Sequence, residues 1–277
     1  MSRYNGDEFN QRFPGRYKNV PEKGGRGMRT GDDLLRGRIE DLSAQAAARG
    51  CYLFSDFLTP AEQSLVLSLE RQLPVPLTFS GGFDQAERRM VGFGAPEEAG
   101  YEIVFPITVL EVRPLNEKFS DTLTHRDFLG AILNLGIDRK LTGDILTDGS
   151  SAWVFAEDHI SDFIADSLTR VKHTAVSVRK VEEVPDGVLP QPQTVTLTLA
   201  SLRLDLVISK AFHIPRKDVL SLLKAERVFV NSRLQTKATY ILREKDLISV
   251  RGYGRVRYLY TEGDTRKGNL RILAERY

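Results

Sequence analysis

The chain is poor in cysteine and tryptophan and lacks any long apolar run. Among its 277 residues there is one cysteine, Cys51, one tryptophan, three methionines and four histidines. One cysteine excludes a disulfide framework and fits a reducing compartment. No apolar stretch approaches the ~20 residues that cross a bilayer, so no membrane span is expected. Arg3, Arg12 and Arg16 are followed by no apolar core, so the start does not read as a secretory signal, and a cytoplasmic address is expected. His125, His159, His173, His213 and Cys51 show no metal-ligand spacing, and no phosphate-binding Walker loop is present. No cofactor is expected. Cys51 reads as a small buried hydrophobe rather than a nucleophile. His125-Arg126-Asp127 matches the opening of the protein-kinase catalytic loop, but that motif requires Asn five residues after the aspartate, and position 132 is Ile. The expectation is a protein that is not an enzyme.

What is present is an uneven distribution of charge. The net charge of +2 hides three segments. Residues 1–30 carry 7 basic and 3 acidic side chains, residues 31–200 carry 15 and 26, and residues 201–277 carry 17 and 8. The last segment thus has a net charge of +9 against −11 for the one before it. Asymmetry on this scale points to a polyanionic partner for the C-terminal part, although a solvated basic surface would look the same.

The periodicities predict an α+β chain of three small domains. Residues 1–30 read as a disordered basic arm whose Gly24-Gly25-Arg26-Gly27 either touches phosphates or only aids solubility. Residues 31–98 form a mixed N-terminal domain. Leu34, Leu35, Ile39, Leu42 and Ala46 have helical spacing over 32–49, with Gly50 as the stop. Thr59-Pro60-Ala61-Glu62 opens a helix to about Gln72, and residues 83–90 are expected to be helical. Residues 99–183 read as strand (101–110), helix (124–135), two strands flanking Asp148-Gly149-Ser150, helix (157–169) and strand (175–181). This β-α-β-β-α-β order is that of a ferredoxin-like domain, the layout of RNA-recognition motifs. Such motifs need exposed aromatics on the central strands. Trp153 and Phe155 are the candidates, but their spacing also suits a buried sheet face, the favoured reading. Residues 184–193 read as a linker.

Residues 194–277 form the third domain: a strand through Val195, Leu197 and Leu199, a helix over 202–212, a second helix with Pro215 at its first position, and a hairpin around Asn231-Ser232. Its cations suit RNA phosphates. Arg203 belongs to the first helix. Arg216 and Lys217 open the second, at its positive dipole end. Lys224 and Arg227 mark its far end. Beyond it, Arg251, Tyr253, Arg255 and Arg257 alternate. On a strand they would share one face, with Tyr258 and Tyr260 on the other, and would combine phosphate contact with base stacking. Gly252 and Gly254 would permit close backbone approach. A plain edge strand with solvated arginines is the alternative. Arg266 and Lys267 sit in a Gly-flanked loop and could add phosphate contacts. His125 and Arg126 are possible secondary contacts at a helix start.

Ser201-Leu202-Arg203-Leu204-Asp205, Ile214-Pro215-Arg216-Lys217, Leu223 to Asn231 and Glu244 to Val250 together resemble the S-four RNA-binding domain. Three positions depart from its pattern: Pro215 replaces the usual Ser, and Glu226 and Ser232 stand where Gly is usual. Glu226 also adds a negative charge to the face. Arg203-Leu204-Asp205 resembles the catalytic stretch of pseudouridine synthases. There it lies in a separate downstream domain, so Asp205 reads as a helix-start or ion-pair residue. Further pieces resemble the bacterial YlmH family: Gly81-Gly82-Phe83 with Glu87-Arg88-Arg89, His125-Arg126-Asp127-Phe128-Leu129-Gly130-Ala131, Leu135-Gly136-Ile137, Gly143-Asp144-Ile145-Leu146 and Ser249 to Arg255. The resemblance implies RNA binding, to ribosomal RNA and tRNA on a large ribosomal subunit that carries a stranded peptidyl-tRNA, in quality control of stalled translation. A scaffold among cell-division proteins is the rival reading, and an RNA-modifying enzyme the third.

Overall fold

The computed structural model describes residues 30–116 and 121–277. The expected basic arm therefore lies outside the described residues, Thr30 excepted. The chain is α+β, with three sheets among the described residues.

Helix α1 (Gly31–Arg49) starts one residue ahead of the expected 32, at a cap that the structure shows. Thr30 and Asp33 exchange side-chain and backbone hydrogen bonds in a capping box, and Gly50, at φ 57°, ends the helix. Ile39 and Ala46 are buried while Leu34 is 58% exposed, so the inward stripe excludes Leu34. After β1 (Leu53–Phe54), the Thr59–Glu62 capping box and Pro60 start α2 (Pro60–Leu69), which a 3-10 turn (Glu70–Gln72) extends. Strands β2 (Leu77–Ser80) and β3 (Met90–Phe93) complete a sheet of order β1-β3-β2.

Residues 83–89 are not helical, contrary to expectation. Their donors are used across the chain. The Asp144 carboxylate accepts the N–H groups of Glu87 (2.5 Å) and Arg88 (3.2 Å), and Arg89 exchanges backbone hydrogen bonds with Leu58. A helix would need those same N–H groups for carbonyls four residues back.

The second sheet follows α3 (Pro96–Ala99). It comprises β4 (Ile107–Pro114), β5 (Thr142–Thr147), β6 (Ala152–Glu157), β7 (Arg170–Val171) and β8 (Thr174–Val181). Helix α4 (His125–Leu133) follows β4 and α5 (Asp158–Ser167) follows β6. The order is β5-β6-β4-β8-β7, all antiparallel. The first strand begins at Ile107 rather than Tyr101. Pro106 has no N–H for a ladder, and its carbonyl instead accepts the Asp158 N–H at the start of α5 (3.1 Å). Strand β6 is buried along its whole length. Val154 packs among Phe128, Ile132, Ile160 and Ile164. On the other face Phe155 packs with Phe57 and Met90 of the preceding unit, its ring 4.9 Å from that of Phe83. Trp153 and Phe155 are core residues, 3% and 0% exposed.

The C-terminal sheet is larger than two helices on a hairpin would require. It holds β9 (Gln193–Leu199), β10 (Val228–Val230), β11 (Arg233–Leu234), β12 (Leu247–Val250), β13 (Gly254–Asp264) and β14 (Leu270–Arg276). The order is β11-β10-β12-β13-β14-β9. Helices α6 (Leu204–Phe212) and α7 (Arg216–Lys224) pack on it through Leu204, Val207, Ile208, Val219 and Leu223. Both helices start later than the sequence suggests. Arg203 is an extended N-cap (ψ 137°), bridged to Ile241, and Pro215 is the N-cap of α7 (ψ 139°), not its first residue. Strand β11 docks on α2: Arg233 bonds the Glu70 carboxylate and the Leu67 carbonyl (both 2.9 Å), and the Leu234 N–H meets Ser64 Oγ at 2.7 Å.

Candidate nucleic-acid interface

The expected cations of the C-terminal unit fall into three groups. The first is organised by Asp205, in the first turn of α6 and fully buried. Arg203 donates to its two oxygens (3.1 Å each). Arg216, brought in by α7, donates to Oδ2 from Nη2 (2.6 Å) and Nε (3.2 Å). Burial alone would raise the Asp205 pKa, but the hydrogen bonds and charges of Arg203 and Arg216 win and hold it below the ordinary value. One buried carboxylate thus locks two guanidinium groups whose side chains remain 35% and 54% exposed. Lys217, next along α7, is exposed. No side chain caps this helix start. Asp205 is the ion-pair residue that the sequence suggests.

The second group lies at the far end of α7, roughly 13 Å away by helix rise. Lys224 and Arg227 are exposed there. The Arg227 carbonyl accepts the Arg251 N–H at 2.9 Å, which joins two cations that lie 24 positions apart in the chain. Between Lys224 and Arg227, Glu226 is held at φ +56°. Asn231 and Ser232 have φ +50° and +62°, the type I′ hairpin geometry. Two of the three departures from the S-four pattern, Glu226 and Ser232, therefore sit in the left-handed region that favours glycine.

The third group does not share one strand face. Arg251 and Tyr253 lie in a turn, and the strand begins only at Gly254. Gly252 and Gly254 have φ +88° and +114°, which makes the turn tight. The close approach at Gly254 is to the protein itself: a Cβ there would lie 2.9 Å from the Tyr277 carbonyl oxygen. Arg255 and Arg257 are half-buried. Arg255 lies over the Tyr277 ring, 5.6 Å from its centroid. Tyr258 and Tyr260 are split by a bulge, so Tyr258 is core and Tyr260 is exposed. Arg266 and Lys267 are exposed in the loop before β14.

A further cationic cluster at the junction of the three sheets is built on Arg88, Arg89 and Arg139, which are not among the residues expected to bind, and it adjoins His125 and Arg255, which are. Arg88 donates to the Thr142 and Phe57 carbonyls (3.1 and 2.9 Å). Arg139 donates to Thr142 Oγ1 (2.8 Å) and the Gly143 carbonyl (3.0 Å). Burial, and then the charge of Arg88, lowers Arg139 to about 10. Burial, and then Arg255, lowers Arg89. His125 belongs to this junction: its surroundings, and then Arg139, push its imidazole below the ordinary value. Arg126 is exposed. Asp127, beside it, completes a capping box with Thr124 and pairs with Lys172 at 2.9 Å. For Arg88 and Asp144 the advance signal is that Glu87-Arg88-Arg89 and Gly143-Asp144 fall within the family-like pieces of sequence. Among the described residues, no three His, Cys, Asp or Glu side chains converge as a metal site, and no helix is long and apolar enough to cross a membrane.

Fold and site together define an α+β protein that presents a cationic face of the kind that meets nucleic acid. The chain belongs to the YlmH family. Residues 37–98 match the family model "YlmH, N-terminal" and residues 96–184 match "Putative RNA-binding domain in YlmH". It is 32% identical over 231 residues to the ribosome-associated protein quality control protein P2 of Bacillus subtilis, covering 80% of this chain and 86% of that protein. Among solved structures, the cell division protein ylmH from Streptococcus pneumoniae is similar at 23% identity and a TM-score of 0.45, over 57% of this chain and 96% of that one.

Proposed function

We propose that this protein is a non-enzymatic, cytoplasmic RNA-binding factor of ribosome-associated quality control. In this reading it contacts ribosomal RNA and tRNA on the large ribosomal subunit. Residues 31–98, 99–183 and 194–277 act as three domains joined by the linker 184–193, the second ferredoxin-like and the third an S-four-type domain that holds the RNA. The observation that carries the reading is the Arg203–Asp205–Arg216 latch beside Lys217. Two planar guanidinium groups are set in advance, partly exposed, next to a free lysine at a helix start. That arrangement suits phosphates of structured RNA and lowers the ordering cost of binding. The quality-control role is supported by the similarity to the Bacillus subtilis protein of that name.

The test is co-sedimentation with large ribosomal subunits at moderate and high salt. Changing Arg203, Arg216 and Lys217 together to Glu is expected to abolish co-sedimentation at moderate salt. In equilibrium binding it should flatten the salt dependence by about 2–3 in log–log slope. Undiminished sedimentation of that variant would overturn the assignment of the face and would favour a scaffold that uses the same fold to bind protein.

A further inference from the structure

The turn that carries Tyr253 stands between two cavities. One, of about 410 Å³, is lined by Gln191, Gln193, Phe212, Tyr253, Arg276 and Tyr277. The other, of about 320 Å³, is lined by Arg251, Arg255, Ser249 and Gly252 together with one acidic residue, Glu87. We propose that the first cavity takes one unpaired nucleobase of the bound RNA while the second receives its adjoining phosphate. This rests on the RNA-binding reading above and adds a subsite to it.

Three rings from three separate parts of the chain line the first cavity: the end of α6, the turn and the end of β14. Phe212 and Tyr253 are 6.4 Å apart at an interplanar angle of 57°, so they are splayed and do not cover each other. Tyr253 stays 49% exposed, a large ring held at the surface with one side facing a cavity. The walls are held in place by hydrogen bonds. The Tyr277 N–H donates to the Arg255 carbonyl (3.0 Å), its hydroxyl donates to Glu275 (2.9 Å), and Arg276 donates to the Ala211 carbonyl (3.4 Å). Glycine at 254 lets the turn close onto Tyr277.

The polar lining selects among flat ligands. Gln191 and Gln193 bring amides, which both donate and accept, as the edge of a base requires. Gln191 spends one donor on the Asp186 carbonyl (2.9 Å) and keeps its oxygen as an acceptor. No carboxylate side chain lines this cavity, while Arg276 does; across the turn Arg251 and Arg255 outnumber the single acidic residue Glu87. An aliphatic ligand would leave the amides without partners, and an acidic side chain would leave the ring faces uncovered. A base joined to a phosphate uses both. Sequence-selective RNA recognition works in this way, by stacking splayed bases on aromatic rings and reading their edges. Helix α6 links the pocket, at Phe212, to the latch at Asp205 in its first turn, roughly 10 Å away by helix rise.

The experiment uses the full chain and two RNA hairpins, one fully paired and one with a single bulged 2-aminopurine. The bulged hairpin is expected to bind about tenfold more tightly, the size of one base–aromatic stack, with a change in 2-aminopurine fluorescence on binding. Gln193→Ala and Phe212→Leu should remove most of that advantage and leave the paired hairpin unaffected. Because the adjoining phosphate releases a counterion and stacking does not, the bulged hairpin should show a salt slope steeper by about 1 in log–log terms, and part of its advantage should persist at high salt. Equal affinity for the two hairpins with silent fluorescence would overturn the pocket and leave the cationic face standing. Absence of binding to either hairpin would overturn both.

Discussion

Residues 96–184 and the C-terminal unit invite opposite readings from sequence and from surface. The first match a family model described as RNA-binding, yet they hold 9 Lys and Arg against 16 Asp and Glu. Their central strand β6 is buried throughout, and Phe155 packs against Phe57, Met90 and Phe83 of the N-terminal unit. The C-terminal unit, basic overall, leaves Lys217, Lys224, Arg227 and Arg251 exposed. A sheet that binds single-stranded RNA needs free aromatic faces. In this chain that face of the middle sheet is already occupied by protein. The comparison shows that a strand pattern shared with RNA-recognition motifs specifies a layout, whereas ligand binding depends on which face is left uncovered.

The sharpest way to break the comparison is Phe155→Ala. It should destabilise the fold by about 3–5 kcal/mol, as large-to-small changes in aromatic cores do, seen as a lower thermal midpoint. RNA affinity measured where the variant remains folded should be unchanged. A folded variant that lost RNA would move the interface back to the middle sheet. Next in size is Asp205→Asn. It adds a unit of positive charge to the cationic face, so bulk electrostatics predicts tighter binding. Loss of the latch predicts binding about tenfold weaker, and filter binding at fixed salt decides between them. Because Asp205 is held below its ordinary pKa of 3.8, its folded carboxyl is more acidic than the unfolded one. Its stabilisation is therefore full above pH 3.8 and lost as pH falls further. The stability difference between wild type and Asp205→Asn should be constant from pH 7 to 5 and shrink below about 4 in acid titrations. Glu226→Gly relieves a left-handed non-glycine residue and removes an acid from the face. A gain of about 1 kcal/mol in denaturant stability is expected, with RNA affinity up a few-fold. Pro215→Ser is the smallest: a side-chain cap for α7 worth roughly 0.5–1 kcal/mol, with no effect on Phe155 or its packing.

Much of the local structure was legible in the sequence. Thr59 announces its cap, Gly50 its stop, and Asp148-Gly149-Ser150 its hairpin, because each acts through neighbours a few positions away. Position 226 shows where such reading falls short: the left-handed backbone there is visible only in the structure, which also gives the reason that glycine is usual. The failures have a shared cause. Residues 83–90 have an apolar spacing that fits a helix, but Asp144 takes two of their N–H groups from more than fifty residues away. Tyr101 starts an apolar run, but the ladder begins only past Pro106. Arg251, Tyr253, Arg255 and Arg257 alternate, yet two glycines turn the first pair out of the strand.

The sequence alone determined the charge asymmetry, the caps, the residue types that suit RNA and the resemblance to the family. Only the tertiary structure decided that Arg203 and Arg216 meet on one buried carboxylate, that Arg227 and Arg251 adjoin, that Arg255 is drawn toward the junction, and that Phe155 is covered. Composition and short-range pattern depend on residues a few positions apart. Pairing a guanidinium with a distant carboxylate, or covering one sheet face with another unit, depends on which surfaces the whole chain brings within a few ångströms of each other.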